Sequence, residues 1–265
     1  MRSVLVVPTY QEAENIELFL RAVREAAPQL DIIVADDNSP DGTAKFAEVV
    51  GGELGRVEVL HRPSKEGLGA AYRHGFRHAL DRGFDVIVQM DADFSHDPAV
   101  LPVLLDAVES GADVAIGSRY VPGGSVPNWT RFRRALSRYG NEFARWALRL
   151  AVRDATSGFR AYTAAIMEDI DIDGTTANGY LFQIETGYRL TVAGARMVER
   201  PISFADRRAG TSKMAVVRTM VETQARVTWW GLCMRAPAAT GLFRRTPPGR
   251  YLASKVRPKG VPTPA

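Results

Sequence analysis

A chain of 265 residues that is 46% hydrophobic and 24% charged, with a net charge of +4, has the make-up of one globular domain with room for an extension, which excludes collagenous and low-complexity proteins. Its single cysteine, Cys233, rules out an internal disulfide, and no cysteine and histidine cluster marks a zinc site. The apolar stretch at residues 4–8 is too short for an export signal and no run approaches the ~18 to 20 apolar residues of a membrane helix, so a cytoplasmic protein is expected.

Strand-like runs at residues 3–7, 31–35, 57–61, 86–90 and 113–118 alternate with helical patterns that begin near Glu14, Thr43, Gly67 and Ala99. That order predicts right-handed βαβ units and an α/β fold with a mostly parallel sheet flanked by helices. Near-continuous Val and Ile runs suit strands covered on both faces. Ligands of such sheets lie beyond the carboxyl ends of the strands, so the polar residues after each strand should converge on one cleft.

Pro8-Thr9-Tyr10-Gln11-Glu12 follows the first run and lacks the glycines of a dinucleotide-binding turn. The second run leads into Asp36-Asp37-Asn38-Ser39-Pro40-Asp41-Gly42-Thr43, whose latter half reads as a turn and helix cap. Its adjacent carboxylates, Asp36 and Asp37, repel unless a base edge, a ribose or a metal offsets them. After the third run, Gly67 and Gly69 in Gly67-Leu68-Gly69-Ala70-Ala71-Tyr72 predict a close helix approach.

The fourth run ends in Asp91-Ala92-Asp93-Phe94-Ser95-His96-Asp97. Residues i and i+2 of an extended chain point the same way, and a hard divalent cation is usually held by one or two carboxylates plus substrate phosphates. Asp91 and Asp93 are thus the expected metal ligands of a transferase acting on a nucleotide diphosphate. A calcium loop is excluded, because His96 and Pro102 stand where it needs Gly and Glu. His96 is expected to orient its loop, since Mg²⁺ and Mn²⁺ favour oxygen ligands. The fifth run ends in Gly117-Ser118-Arg119-Tyr120, which brings a guanidinium to the same rim.

Farther on, Arg131, Arg133, Arg134, Arg138, Arg145, Arg149 and Arg153 recur partly at helical spacing, as on a solvated basic face. Residues 175–179 read as a mobile loop near a substrate. Met214, Val217, Met220 and Val221 form an apolar helical stripe expected to pack into the core. Trp229 and Trp230 suit either packing or a lipid headgroup boundary. Eight arginines and lysines lie beyond Glu222, the last acidic residue, among five prolines from Pro247 to Pro264. An irregular basic tail at 236–265 is expected, drawn to anionic membrane surfaces by roughly 1 kcal/mol per charge.

Taken in order, Pro8-Thr9-Tyr10 with Glu12, Asp36-Asp37-x-Ser39-Pro40-Asp41-Gly42-Thr43, Gly67-Leu68-Gly69-x-Ala71-Tyr72, Asp91-Ala92-Asp93-x-x-His96-x-Pro98, Gly117-Ser118-Arg119-Tyr120, Thr156-Ser157-Gly158-Phe159-Arg160, Gly179-Tyr180-x-Phe182-Gln183-x-Glu185 and Arg207-x-x-Gly210-x-Ser212-Lys213 span most of residues 3–235. This ordered set resembles glycosyltransferase family 2, and within it the dolichol-phosphate (polyprenol-phosphate) mannose synthases.

The resemblance implies a GT-A fold, GDP-mannose as donor, a polyprenyl monophosphate as acceptor, Mg²⁺ or Mn²⁺ as cofactor, and inverting transfer that yields β-linked polyprenyl phosphomannose and GDP. It implies that Pro8, Tyr10, Glu12, Asp36 and Asp37 hold the guanosine. Asp91, Ala92 and Asp93 would meet the diphosphate, with Asp91 and Asp93 on the metal and Ser95 near it through water. Arg207 and Lys213 would close over the pyrophosphate. A phosphate monoester is already anionic, so the acceptor needs a permanent cation more than a strong base. Arg119 and Arg133 are the candidates, with Arg134 as the alternative in register. Ser157, Gln183 and Glu185 are candidate sugar or loop contacts.

On this reading residues 1–235 form the catalytic domain, and the lipid is met by peripheral contact at the cytoplasmic face of the membrane or through an anchoring partner protein. No nucleic-acid partner is expected. The alternatives are a related lipid-phosphate transferase with a donor such as UDP-glucose, a nucleotide-sugar binding protein without turnover, and an aspartyl-nucleophile phosphatase. The last normally carries its aspartate after the first strand, whereas Asp91 follows the fourth.

Overall fold

The computed structural model describes residues 1–206, 216–235 and 249–251, with the side chains of 216–221 and 233–235 left aside. Its strands are β1 (Ser3–Thr9), β2 (Asp31–Asp36), β3 (Val57–His61), β4 (Val86–Gln89), β5 (Val114–Ser118), β6 (Arg160–Thr163) and β7 (Met197–Pro201). Its helices are α1 (Ile16–Ala26), α2 (Thr43–Leu54), α3 (Leu68–Asp81), α4 (Leu101–Glu109), α5 (Arg131–Leu148), α6 (Ala164–Asp169), α7 (Tyr180–Ala193) and α8 (Val216–Arg235). The strands form one sheet in the order β3-β2-β1-β4-β6-β5-β7.

The five expected strands are all present, and their pairs β1–β2, β1–β4 and β2–β3 are parallel. Alternation along β1 explains the two cores. Val4 and Val6 enter one apolar cluster with Tyr72, Phe76 and Phe182, while Leu5 and Val7 enter another with Phe19, Leu20 and Leu104.

Two strands escape the sequence pattern. β6 runs antiparallel between β4 and β5, and its Arg-Ala-Tyr-Thr carries no apolar run. Arg160 is fully buried there because its guanidinium donates to the carbonyls of Ala155, Ser157 and Gln183, which satisfies a charge that composition alone would place in solvent. β7 pairs only with β5 and carries Glu199, Arg200 and Pro201, as suits an edge.

The close helix approach expected at Gly69 is real. A Cβ on this residue would stand 2.3 Å from the carbonyl oxygen of Ala177, so the start of α3 and loop 175–179 fit only without a side chain. Gly69→Ala is expected to cost about 1–3 kcal/mol by overpacking, read as a lower melting temperature. An unchanged melting temperature would mean that the loop yields freely.

Within the stretch expected to be an irregular tail, residues 249–251 are helical and Tyr251 is buried against the domain. Its hydroxyl donates to the carbonyl of Asp169 at 3.2 Å and its ring lies 4.9 Å from the Arg189 guanidinium. The rest of that stretch lies outside the described residues, as do Arg207, Met214, Lys213 and the side chains of Val217, Met220 and Val221.

Candidate active site

The loops that leave β1, β2, β4 and β5 meet at the carboxyl end of the sheet. Three of them contain a non-glycine residue in the left-handed region: Gln11 at φ 57°, Asn38 at 55° and Phe94 at 59°. Such conformations are costly and tend to collect at functional sites.

Two cavities open here, and Asp91 and Asp93 belong to the walls of both. The first, of about 420 Å³, takes Pro8, Tyr10, Glu12, Asp37, Ala92 and Lys65 from the strand ends. The second, of about 360 Å³, takes Ser95, His96, Arg119, Arg133, Ser157 and Gln183. The aspartates therefore stand at the junction of two hollows. Gly158 lies beside Asp91, where a Cβ would make only an ordinary contact of 3.6 Å with Oδ2.

Both aspartates are oriented from behind. The buried Tyr72 hydroxyl donates to Asp91 Oδ1 at 2.6 Å. Ser95 donates to Asp93 Oδ1 through its amide at 3.0 Å and its hydroxyl at 2.6 Å. Its hydroxyl is thereby aimed at the Asp93 carboxylate.

Asp36 requires a correction. Its register opposite Thr9 puts the Thr9 hydroxyl 2.8 Å from Oδ1, while Ser39 donates to Oδ1 and Oδ2 at 2.6 and 2.8 Å. At 1% exposure it forms no part of the cavity wall, and it holds the turn instead. Asp37 does reach the cavity, paired from behind with buried Arg62. The repulsion expected between the two carboxylates is thus relieved inside the protein, with no ligand needed. Burial raises the Asp37 carboxyl above its usual range, against the opposing field of Arg62.

Arg119 is gripped by Asp154, which accepts from Nε at 2.8 Å and from Nη2 at 2.6 Å, while Nη2 also meets the Thr156 hydroxyl at 2.7 Å. Burial works against both charges, yet the partner's field and hydrogen bonds outweigh it, so the Asp154 carboxyl is lowered and the guanidinium raised. Arg133 is the opposite case. Its ion pair with Asp206 at 2.9 Å is half-exposed on both sides, and its guanidinium lies 4.1 Å from the Trp129 ring. Such a solvated pair contributes little and yields readily to another anion.

The structure also separates neighbours that the sequence could not. Arg133 lines the second cavity and Arg134 an adjoining hollow. Ser157 lines the cavity while donating to the Gly117 carbonyl at 2.6 Å. Glu185 is fully buried, accepting from the amides of Thr176 and Ala177 and pairing with Arg189. It anchors the loop and lines neither cavity. That loop, expected to be mobile, is tied to α3 where Asn178 Oδ1 accepts from the Ala70 amide at 3.3 Å and the Ala177 carbonyl accepts from Arg73 at 3.1 Å.

Among the described residues, Gln183 Oε1, His96 Nδ1 and Trp129 Nε1 are buried around the second cavity without a hydrogen-bond partner. Orphaned polar atoms of this kind mark a wall built for a polar ligand. The His96 imidazole is held down to about 4, chiefly by burial, which the Asp93 field only partly offsets, so it is a weak base near neutral pH.

Sequence reasoning assigned no role to Lys65, whose ammonium lies 3.9 Å from the Tyr10 ring in the first cavity. It follows β3 as the other rim residues follow their strands, and that position was the available signal. Nothing local marked Asp154, which lies in an irregular segment far from Arg119 in sequence.

The family model described as Glycosyl transferase family 2 matches residues 4–171. A polyprenol monophosphomannose synthase of Mycolicibacterium smegmatis is 46% identical over 244 residues, covering 92% of this chain and 92% of that protein. An undecaprenyl-phosphate mannosyltransferase of Micrococcus luteus is 46% identical over 235 residues, covering 89% and 96%. Among solved structures, a mannosyltransferase from Pyrobaculum calidifontis in complex with GDP-Man and Mn²⁺ superposes with a TM-score of 0.60 at 16% identity, covering 98% of this chain and 76% of that one. That likeness shows the fold, which is GT-A.

Proposed function

This chain belongs to glycosyl transferase family 2, and on that premise we propose that it transfers mannose from GDP-mannose to a polyprenyl monophosphate, with inversion at the sugar carbon. The observation that carries the reading is the place of Asp91 and Asp93 at the junction of two cavities, where a nucleotide on one side and a phosphate acceptor on the other would meet. The names of the two relatives at 46% identity supply the sugar and the acceptor class.

The first cavity suits the nucleoside diphosphate. Pro8, Tyr10 and Glu12 would meet the base and ribose, with Lys65 and Asp37 beside them. Two carboxylates are oxygen ligands of the right hardness for a divalent cation whose set the substrate phosphates complete, while among the described residues no group of three acidic, His or Cys side chains could hold one unaided. Asp91 and Asp93 would hold Mg²⁺ or Mn²⁺, which when bound stabilises the negative charge gathering on the departing GDP. Arg207 and Lys213 remain candidates for the pyrophosphate.

In the second cavity Arg119, locked by Asp154, would fix one acceptor oxygen, while Arg133 would leave Asp206 for the incoming phosphate. An oriented phosphate oxygen then attacks the sugar carbon in line with the departing diphosphate. No general base is called for, which accords with the weakly basic His96. Gln183, with its orphaned oxygen, is the candidate sugar contact, and Ser157 supports the same wall.

A polyprenyl acceptor brings the enzyme to a membrane, and among the described residues no helix is long and apolar enough to cross one. Peripheral attachment at the cytoplasmic face follows as part of the proposal. The test is a donor screen in which labelled GDP-mannose and UDP-glucose are offered with polyprenyl phosphate. Label from GDP-mannose should enter the lipid phase; preference for UDP-glucose, or no transfer with bound donor, would overturn the reading.

A further inference from the structure

Position 72 on α3 calls for a large ring, since Tyr72 is fully buried in the apolar cluster that holds Val4, Val6, Phe76 and Phe182. Its ring centroid lies 5.4 Å from that of Phe76 and 6.0 Å from that of Phe182, the latter pair parallel to within 4°. A phenylalanine would fill this place equally well. The hydroxyl therefore needs its own account, because a buried polar group is costly unless it is paired.

That account is Asp91. An ionised carboxylate can only accept, so the Tyr72 hydroxyl donates to Oδ1, at the 2.6 Å expected of a charge-assisted bond. The two aspartates are held in different ways. Asp93 takes its donors from Ser95, two residues on in the same loop, which fixes the carboxylate only relative to that loop. Asp91 is tied across the fold to α3, to a ring stacked between two others in the core. The same helix is bound through Arg73 to the Ala177 carbonyl, so the support behind Asp91 is itself held in place.

We propose that Tyr72 is a positioning residue for the divalent cation, holding the Asp91 carboxylate against rotation and so setting the metal concentration at which transfer runs. The proposal rests on the metal role given to Asp91 above. Ordering a loose carboxylate at the moment of binding costs affinity, whereas a carboxylate fixed on folding has already lost that freedom. With only two side-chain ligands expected from the chain, the state of each one counts. Tyr72 lines neither cavity, so its influence falls on metal binding rather than on the bond being broken.

The test compares the full chain with Tyr72→Phe, which keeps the ring and removes only the hydroxyl. Mn²⁺ binding in the presence of GDP, read from the loss of the free-ion electron paramagnetic resonance signal, should weaken by about 10–100-fold, as when a hydrogen-bond partner of a metal ligand is removed. Turnover should fall at low Mn²⁺ and recover as Mn²⁺ is raised, while GDP binding without metal should not change. A merely structural role would give a loss that added metal does not restore. Equal Mn²⁺ affinity in the two proteins would overturn the proposal and leave the metal role of Asp91 standing, as would a turnover defect that persists at saturating Mn²⁺. An unaltered chain that binds GDP but no Mn²⁺ would remove both.

Discussion

Asp91→Asn and Asp93→Asn are each expected to slow mannosyl transfer by about a thousandfold or more. A bound metal contributes several kcal/mol by neutralising a leaving diphosphate, and about 1.4 kcal/mol corresponds to each factor of ten. Asparagine keeps the volume and can still accept from the Tyr72 hydroxyl or from Ser95, so the loop should retain its shape. Only the charge and the strength of the oxygen ligand are lost. Turnover at saturating metal, measured beside the melting temperature, separates the two effects. Near-normal turnover in either variant would remove that aspartate from the metal site.

Asp154→Ala is expected to lower stability by about 3–5 kcal/mol, the cost of leaving a buried charge without its partner. The Arg119 side chain is 6% exposed and that of Asp154 is fully buried, so water entering from the cavity that Arg119 lines replaces the lost carboxylate only in part. The loss should depend on pH. Because the Asp154 carboxyl is lowered on folding, its contribution is fully present above the ordinary carboxylate value and fades as the pH falls through the lower folded one. Urea unfolding at neutral and acidic pH should therefore show the gap between the two proteins closing in acid. A variant as stable as the unaltered chain at neutral pH would mean that Arg119 finds another anion.

These residues also show what could be read from the chain. β1 to β5 were legible because Val and Ile runs have few other uses, and the polar residues after them converge as the sheet topology requires. β6 was not, because its buried Arg160 is satisfied by carbonyls of the preceding segment 155–157 and of Gln183 on α7. The cost of the pair Asp36 and Asp37 is legible, but two of the groups that relieve it, Thr9 at the end of β1 and Arg62 just after β3, come beside it only by folding, and Ser39 of the same turn completes the set.

The most direct test of the account is a crystal of the protein with Mn²⁺ and GDP, examined at a wavelength where manganese scatters anomalously. An anomalous peak within coordination distance of both Asp91 and Asp93, with the diphosphate completing the ligand set, is the predicted result. Nucleotide bound in the first cavity with manganese elsewhere, or held by neither aspartate, would contradict it.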